Sequence, residues 1–237
     1  MRDRIRWGIV FVYALAMAWV EAAVVFYLRT MYHRIDPHQL NPIPMNDLLS
    51  QVEVIREAAT MLMLLTIGYL AGHSWRSRLG YFTIAFGVWD IFYYVFLKVA
   101  CGWPRTVMDW DVLFLIPLPW WGPVLAPVLI SLLLILWGTL ASQFEHVPAP
   151  LGIRAAAVGV GLVGVVLALQ VFMADTLAAA PRGAEAVRGV LPTDFHWPLF
   201  CVALSLMSVP AWQRIWHLSL HRRGKLATAS PIYSRSP

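Results

Sequence analysis

The sequence predicts an all-α protein, a polytopic transmembrane bundle of about six helices. Two observations lead to this fold class. Apolar residues make up 59% of the 237-residue chain and charged residues only 13%, which leaves too few polar side chains to cover a soluble globule of this length. The apolar residues also occur in six long blocks, and each approaches or exceeds the roughly 20 residues that cross about 30 Å of hydrocarbon.

The six blocks account for nearly all of the chain, which leaves no room for a soluble domain. The spans lie at about 7–28, 54–71, 81–100, 121–141, 155–173 and 197–216, within a single transmembrane domain at 1–216. Three arginines precede the first span, as in a signal peptide, but apolar sequence continues to Leu28, so we expect a retained helix. Residues 217–237 are basic and contain several Ser and Pro residues, which predicts a disordered cytoplasmic tail.

The distribution of Lys and Arg predicts that both termini lie in the cytoplasm. With the N-terminus inside, 11 of the 18 basic residues fall in inner segments and six in outer segments, while Arg56 lies within a helix. This positive-inside bias indicates a bacterial cytoplasmic (inner) membrane protein with cytoplasmic termini. The basic excess then faces anionic lipid, so membrane lipid is the expected partner and a nucleic-acid partner is not needed.

Two patterns that resemble ligand sites have simpler explanations. Gly159, Gly161 and Gly164 have the G-x-G-x-x-G spacing of dinucleotide-binding loops, but they lie inside an apolar span, where small residues allow helices to pack closely. The outer carboxylates and His196 could in principle hold a metal, yet no E-x-x-H ligand pair accompanies them. We therefore expect neither a metal nor a cofactor.

The acidic residues are concentrated toward the outer face. Of 13 Asp and Glu residues, only Asp3 and Glu145 lie on the predicted inner side. Glu21 lies roughly 10 Å below the outer end of the first span, and Asp90 is near the middle of the third. Charge at that depth costs at least about 2.5 kcal/mol, so each residue needs a partner or a cavity. Glu21 and Asp90 are candidate catalytic residues; the alternative is a buried pair that fixes helix packing.

The second span adds a third candidate catalytic residue. Glu53 and Glu57 are spaced i,i+4 and lie on one face of the helix, with Arg56 beside them. Glu53 fits a residue at the start of a helix, where the dipole favours carboxylates, whereas Glu57 lies one turn deeper. We predict Glu57 as catalytic and Arg56 as substrate-binding through an anionic group. Arg56 can also pair with Glu21 or Asp90.

Tyrosines and a Pro/Trp-rich segment supply further candidates. Tyr93 and Tyr94 follow Asp90 by three and four residues and can line the same cavity. Because two prolines at 117 and 119 cannot both lie inside a regular helix, we predict an extended or re-entrant stretch at 111–121. The fourth helix then has Pro123 in its first turn. Such a stretch borders a cavity or forms an interfacial loop. The candidate substrate-binding residues are Tyr93, Tyr94, Asp109, Asp111, Trp120 and His196.

Three classes of function remain open at this stage. The first is a membrane-embedded enzyme that transforms an amphiphilic or lipid-like substrate by acid/base chemistry. The second is a non-catalytic subunit or assembly factor of a membrane complex, in which the polar cluster specifies packing. The third is a small proton-coupled transporter, although the two halves of the chain show no internal repeat. A cavity among these side chains would favour the enzyme over the scaffold.

Overall fold

The chain folds into a helical bundle with one small β-hairpin, as seen in a computed structural model that describes residues 2–33, 36–38, 47–145, 147, 151–192 and 194–228. Six helices in this part of the chain are long and apolar enough to cross a membrane, which confirms the predicted fold class. The elements are α1 (Arg2–Met31), α2 (Asp47–Ala71), α3 (Trp75–Cys101), β1 (Trp110–Phe114), β2 (Trp120–Pro123), α4 (Leu125–Gln143), α5 (Leu151–Ala179), a 3-10 turn (Ala180–Arg182), α6 (Ala184–Arg188) and α7 (Trp197–Thr228).

Several helices extend beyond the predicted spans because a helix can continue after it leaves the hydrocarbon. In α3, for example, a capping box formed by Ser74 and Ser77 starts the helix at Trp75, well before the first long apolar run. The sequence predicts a disordered tail from residue 217, but α7 continues to Thr228, so the first part of that segment is helical. Residues 229–237 lie outside the described part of the chain.

The Pro/Trp-rich segment forms an antiparallel hairpin, which confirms the extended segment predicted before the fourth helix. Trp110 pairs with Pro123, and Asp111 pairs with Gly122. Pro123 therefore ends a strand, which corrects the prediction that it lies in the first turn of the fourth helix; α4 begins at Leu125. The Thr176 hydroxyl of α5 donates to the Pro119 carbonyl at 2.7 Å, which ties the hairpin loop to the second half of the bundle. These bonds satisfy backbone groups that hydrocarbon would leave unpaired.

Helix α3 lies at the centre of the first half of the bundle. It packs against α1, α2 and α4, whereas α5 packs mainly against α7. The α3–α4 contact is close because a Cβ at Gly138 would lie 2.4 Å from the Gly80 carbonyl oxygen. A comparable approach holds α5 to α7, where a Cβ at Gly164 would lie 2.6 Å from the Ala203 carbonyl oxygen. Small residues thus set the helix spacing, as close packing in lipid requires.

Candidate functional site

A cavity of about 190 Å³ lies between α1, α2, α3 and strand β1. We call it the acidic cavity. Its ionisable side chains, other than tyrosines, are Glu21, Arg29, Glu53, Arg56, Glu57, Asp90 and Asp111. The aromatic residues Trp89, Tyr93 and Tyr94 also line it. The structure therefore brings seven of the ten predicted site residues to one place: Glu21, Arg56, Glu57, Asp90, Tyr93, Tyr94 and Asp111.

Arg56 of α2 binds two carboxylates, one on α1 and one on its own helix. Its guanidinium contacts the Glu21 carboxylate and lies 2.9 Å from Glu53 Oε2. The Thr60 hydroxyl donates to the second oxygen of Glu21 at 3.1 Å. Of the two partners predicted for Arg56, the structure thus shows Glu21 rather than Asp90. Glu53, which the sequence assigns to a helix start, is a second partner of the same cation.

Glu57 holds the hairpin against α2. Its two carboxylate oxygens accept hydrogen bonds from the backbone N–H groups of Leu115 at 2.8 Å and Ile116 at 3.1 Å. These two residues follow β1, where the chain turns and its N–H groups have no strand partner. A carboxylate that satisfies two such donors removes the cost of burying them.

Arg29 and Asp111 form a buried ion pair, with Nη2 of Arg29 2.9 Å from Oδ1 of Asp111. Arg29 is only 6% exposed and Asp111 2%, and the guanidinium lies 4.0 Å from the centroid of the Trp103 ring. Burial raises the pKa of the Asp111 carboxyl to about 6, while the positive charge of Arg29 opposes the shift. Asp111 Oδ2 is buried and accepts no hydrogen bond from any described residue.

The sequence prediction missed Arg29 because it treated the residue as part of an outer loop. Helix α1 in fact continues to Met31. Arg29 lies seven residues after the buried Ala22, which is about two helical turns, so both face the same side. That spacing was the available signal, but the predicted helix end at Leu28 concealed it.

Asp90 is positioned by the close approach of α3 and α4. A Cβ at Gly87 would lie 2.6 Å from the Ser131 carbonyl oxygen, and this proximity lets the Ser131 hydroxyl donate to Asp90 Oδ2 at 2.8 Å. Among the described residues, Asp90 Oδ1 accepts no hydrogen bond. The neighbouring Trp89 Nε1 is also buried and has no acceptor in the described part of the chain. The cavity wall thus offers a carboxylate oxygen and an indole N–H that are both unused.

Three predicted substrate-binding residues do not line the acidic cavity. Asp109 accepts hydrogen bonds from the Arg105 N–H at 2.7 Å and the Thr106 hydroxyl at 2.8 Å, within its own loop. Trp120 packs against the Phe114 ring, with centroids 5.0 Å apart. His196 is exposed just before α7. The Pro/Trp-rich segment suggested Asp109 and Trp120, and a position on the predicted outer side suggested His196, but the hairpin and the helix start direct these residues elsewhere.

The membrane-spanning helices make this chain an integral membrane protein in contact with lipid. No family model, curated protein or solved structure matches the chain. Within the described residues, no group of three or more His, Cys, Asp or Glu side chains is arranged to hold a metal ion. The chemistry of the acidic cavity is therefore the basis for any assignment of function.

Proposed function

We propose that this protein is a membrane-embedded enzyme that binds the polar head of an amphiphilic substrate in the acidic cavity and transforms it by acid/base chemistry. The observation that supports this most directly is the environment of Asp90. Its only hydrogen-bond donor in the described part of the chain is the neutral Ser131 hydroxyl, and its second oxygen is unused. Such a carboxylate can accept a proton from a bound substrate or water without first breaking an ion pair.

The other predicted catalytic residues fit positioning roles better. Glu21 and Glu57 each use both carboxylate oxygens in contacts within the protein. Arg56 already binds Glu21 and Glu53, so its charge is compensated before any anionic group arrives. Tyr93 and Tyr94 provide wall contacts beside Asp90. In this proposal Asp90 is the catalytic residue, while Glu21, Arg56 and Glu57 hold the cavity open.

The charge and size of the cavity restrict the substrate. The wall carries five carboxyl groups and two guanidinium groups, a formal excess of three negative charges that favours a cationic or neutral polar head. A volume of about 190 Å³ is below the roughly 300 Å³ at which pockets begin to enclose drug-sized ligands. Only the head of an amphiphile fits inside, and its apolar part must stay in the surrounding lipid.

Of the two other classes of function, a non-catalytic subunit is supported by contacts in the structure, whereas a transporter is not. The contacts of Arg56 and Glu57 interlock α1, α2 and the hairpin, which favours a scaffolding subunit as the second candidate.

For a transporter, the cavity would need a polar route to the inner side. Toward that side, however, α1, α2 and α3 meet in a buried apolar cluster that includes Val10, Ala14, Leu64 and Ile84. This packing favours an enzyme over a carrier.

The proposed location is the bacterial cytoplasmic membrane, with both termini in the cytoplasm. Lys and Arg are in excess in the segments that lie on the same side of the membrane as the N-terminus, which supports this orientation. It places the acidic cavity toward the outer leaflet, because Glu21 follows the middle of α1 and Glu53 is near the start of α2.

Mass spectrometry of lipid extracts tests the proposal. Membranes that contain the wild-type protein are compared with membranes that contain Asp90→Asn or, as a matched control, Asp175→Asn, which lies outside the acidic cavity. We expect at least one polar-headed lipid to change in abundance with the wild type and the control, but not with Asp90→Asn. An unchanged lipid profile with the wild type, or the same change with Asp90→Asn, would reject the enzyme.

A further inference from the structure

A second cavity, of about 220 Å³, lies between α3, α4, α5 and α7, on the predicted cytoplasmic side. We call it the basic cavity. Arg76, Arg154 and Arg214 line it, together with Gln213. None of its lining residues in the described part of the chain is acidic. Its charge is therefore opposite to that of the acidic cavity, and the two share no residue.

Two donors at the basic cavity are buried without an acceptor in the described part of the chain. Arg214 is only 3% exposed, and its Nη1 donates to the Val147 carbonyl at 2.8 Å while Nη2 contacts the Phe144 carbonyl. Its Nε has no acceptor among the described residues, and neither does the buried Nε2 of Gln213. Buried N–H donors without acceptors cost free energy, and a ligand that carries oxygen atoms would remove that cost.

The charge of the three guanidinium groups is a second and independent reason to expect an anion in the basic cavity. Like charges that line one cavity repel each other unless an anion lies between them. Glu145 is close enough to Arg76 to interact with it electrostatically, but it does not line the cavity. A single carboxylate beside one arginine leaves most of the positive charge uncompensated, so the wall is complementary to an anion.

The surroundings of the cavity indicate where that anion comes from. Trp75 lines it and is 76% exposed, while Trp212 and Trp216 on α7 are 68% and 65% exposed. Exposed Trp residues near the ends of membrane-spanning helices mark the level of lipid head groups. Basic pockets between such helices on the cytoplasmic side suit the head groups of anionic lipids.

We propose that the basic cavity binds the phosphate of an anionic phospholipid, with Arg76, Arg154 and Arg214 as counter-charges and the Nε atoms of Arg214 and Gln213 as donors to its oxygens. Arginine suits this role because its planar group of N–H donors matches phosphate oxygens. The site is distinct from the acidic cavity, so its occupancy does not depend on the proposed enzyme.

Thermal unfolding of the purified full-length protein in detergent tests this site. We expect phosphatidylglycerol near saturation to raise the Tm by about 5 °C, and phosphatidylcholine or inorganic phosphate to give little change. The variants are Arg76→Gln and Arg154→Gln. The matched control is Arg78→Gln, since Arg78 is on the same helix but lies over the Tyr69 ring at 3.9 Å. We expect both variants to lose most of the shift and the control to keep it.

Each other outcome overturns the proposal. If both variants keep the full phosphatidylglycerol shift, the lipid binds elsewhere. If inorganic phosphate produces the same shift as phosphatidylglycerol, the site takes a free anion rather than a lipid. If neither variant can be obtained folded, the wild type still decides: equal shifts with phosphatidylglycerol and phosphatidylcholine exclude selection of an anionic head group.

Discussion

Asp90 and Asp111 both line the acidic cavity, but their carboxylates have different partners. Asp90 accepts one hydrogen bond from the neutral Ser131 hydroxyl, whereas Asp111 compensates the charge of the buried Arg29. The same Asp→Asn substitution therefore removes an acid/base group at one position and leaves an unpaired buried cation at the other. The two substitutions therefore distinguish the proposed catalytic carboxylate from a structural one.

Asp90→Asn is expected to leave the fold intact. The side-chain amide keeps the shape of the carboxylate and can still accept the Ser131 hydrogen bond, and Arg56 and Arg29 have other carboxylate partners. We expect the Tm in detergent to stay within a few degrees of the wild type, while lipid conversion is lost. A large fall in Tm would instead assign Asp90 a structural role.

Asp111→Asn is expected to destabilise the protein strongly. Removing one partner of a buried ion pair leaves an uncompensated charge, at a cost of about 3–5 kcal/mol. The pair is well shielded, since Arg29 is 6% exposed and Asp111 2%. The measurement is the Tm, compared in parallel with Asp90→Asn. Equal Tm values for the two variants would contradict the assignment of the Arg29–Asp111 pair as structural.

Among the secondary-structure elements, the position of the hairpin depends on hydrogen bonds to a side chain of α2. The two N–H groups after β1 have the Glu57 carboxylate as their acceptor, so one side chain joins a strand end to a membrane-spanning helix. The hairpin in turn contributes Asp111 to the acidic cavity. A loss of this link is therefore expected to loosen the outer wall of the site before it affects the helices.

Glu57→Gln tests this link between α2 and the hairpin. The amide of Gln offers one acceptor oxygen instead of two, so one buried N–H loses its partner at a cost of about 1–3 kcal/mol. We expect faster amide hydrogen exchange at Leu115 or Ile116, with little change in α2. Glu185→Gln, an exposed carboxyl on α6, is the control. Unchanged exchange at both amides would mean that Glu57 does not hold the hairpin.

Close helix packing gives a second test at this scale. A Cβ at Gly138 would lie 2.4 Å from the Gly80 carbonyl oxygen, whereas a Cβ at Gly159 would meet nothing within 4 Å. Gly138→Ala should therefore force α3 and α4 apart and cost about 1–3 kcal/mol. Gly159→Ala should be neutral or slightly stabilising, because Ala is the better helix former. Tm values for the two variants in the opposite order would contradict this packing.

The whole molecule is polarised, with the acidic cavity toward one side of the membrane and the basic cavity toward the other. This arrangement agrees with the positive-inside rule, which counts the basic residues in all the segments between spans rather than those of one site. The proposed enzyme also depends on the orientation, because an outer-leaflet substrate reaches the acidic cavity only if that cavity faces outward.

Reporter fusions test the orientation. A reporter joined after Pro237 should be active only in the cytoplasm, and one inserted near Gly183, which lies between the 3-10 turn and α6, only outside. Reporters that require oxidation or secretion for activity serve as the reciprocal control at each position. The reverse pattern at either position would invert the topology and reject an outer-leaflet substrate.

The sequence by itself determined the number, order and approximate position of the spans, since hydrophobic length is a local property that each segment carries alone. It also indicated that Glu21, Glu57 and Asp90 need partners or a cavity, because buried charge is costly wherever it lies. Only the tertiary structure decided which partners they have. The rotation of each helix brings Arg29 to Asp111 and Glu21 to Arg56, while the hairpin turns Trp120 away, and these directions depend on contacts between distant segments.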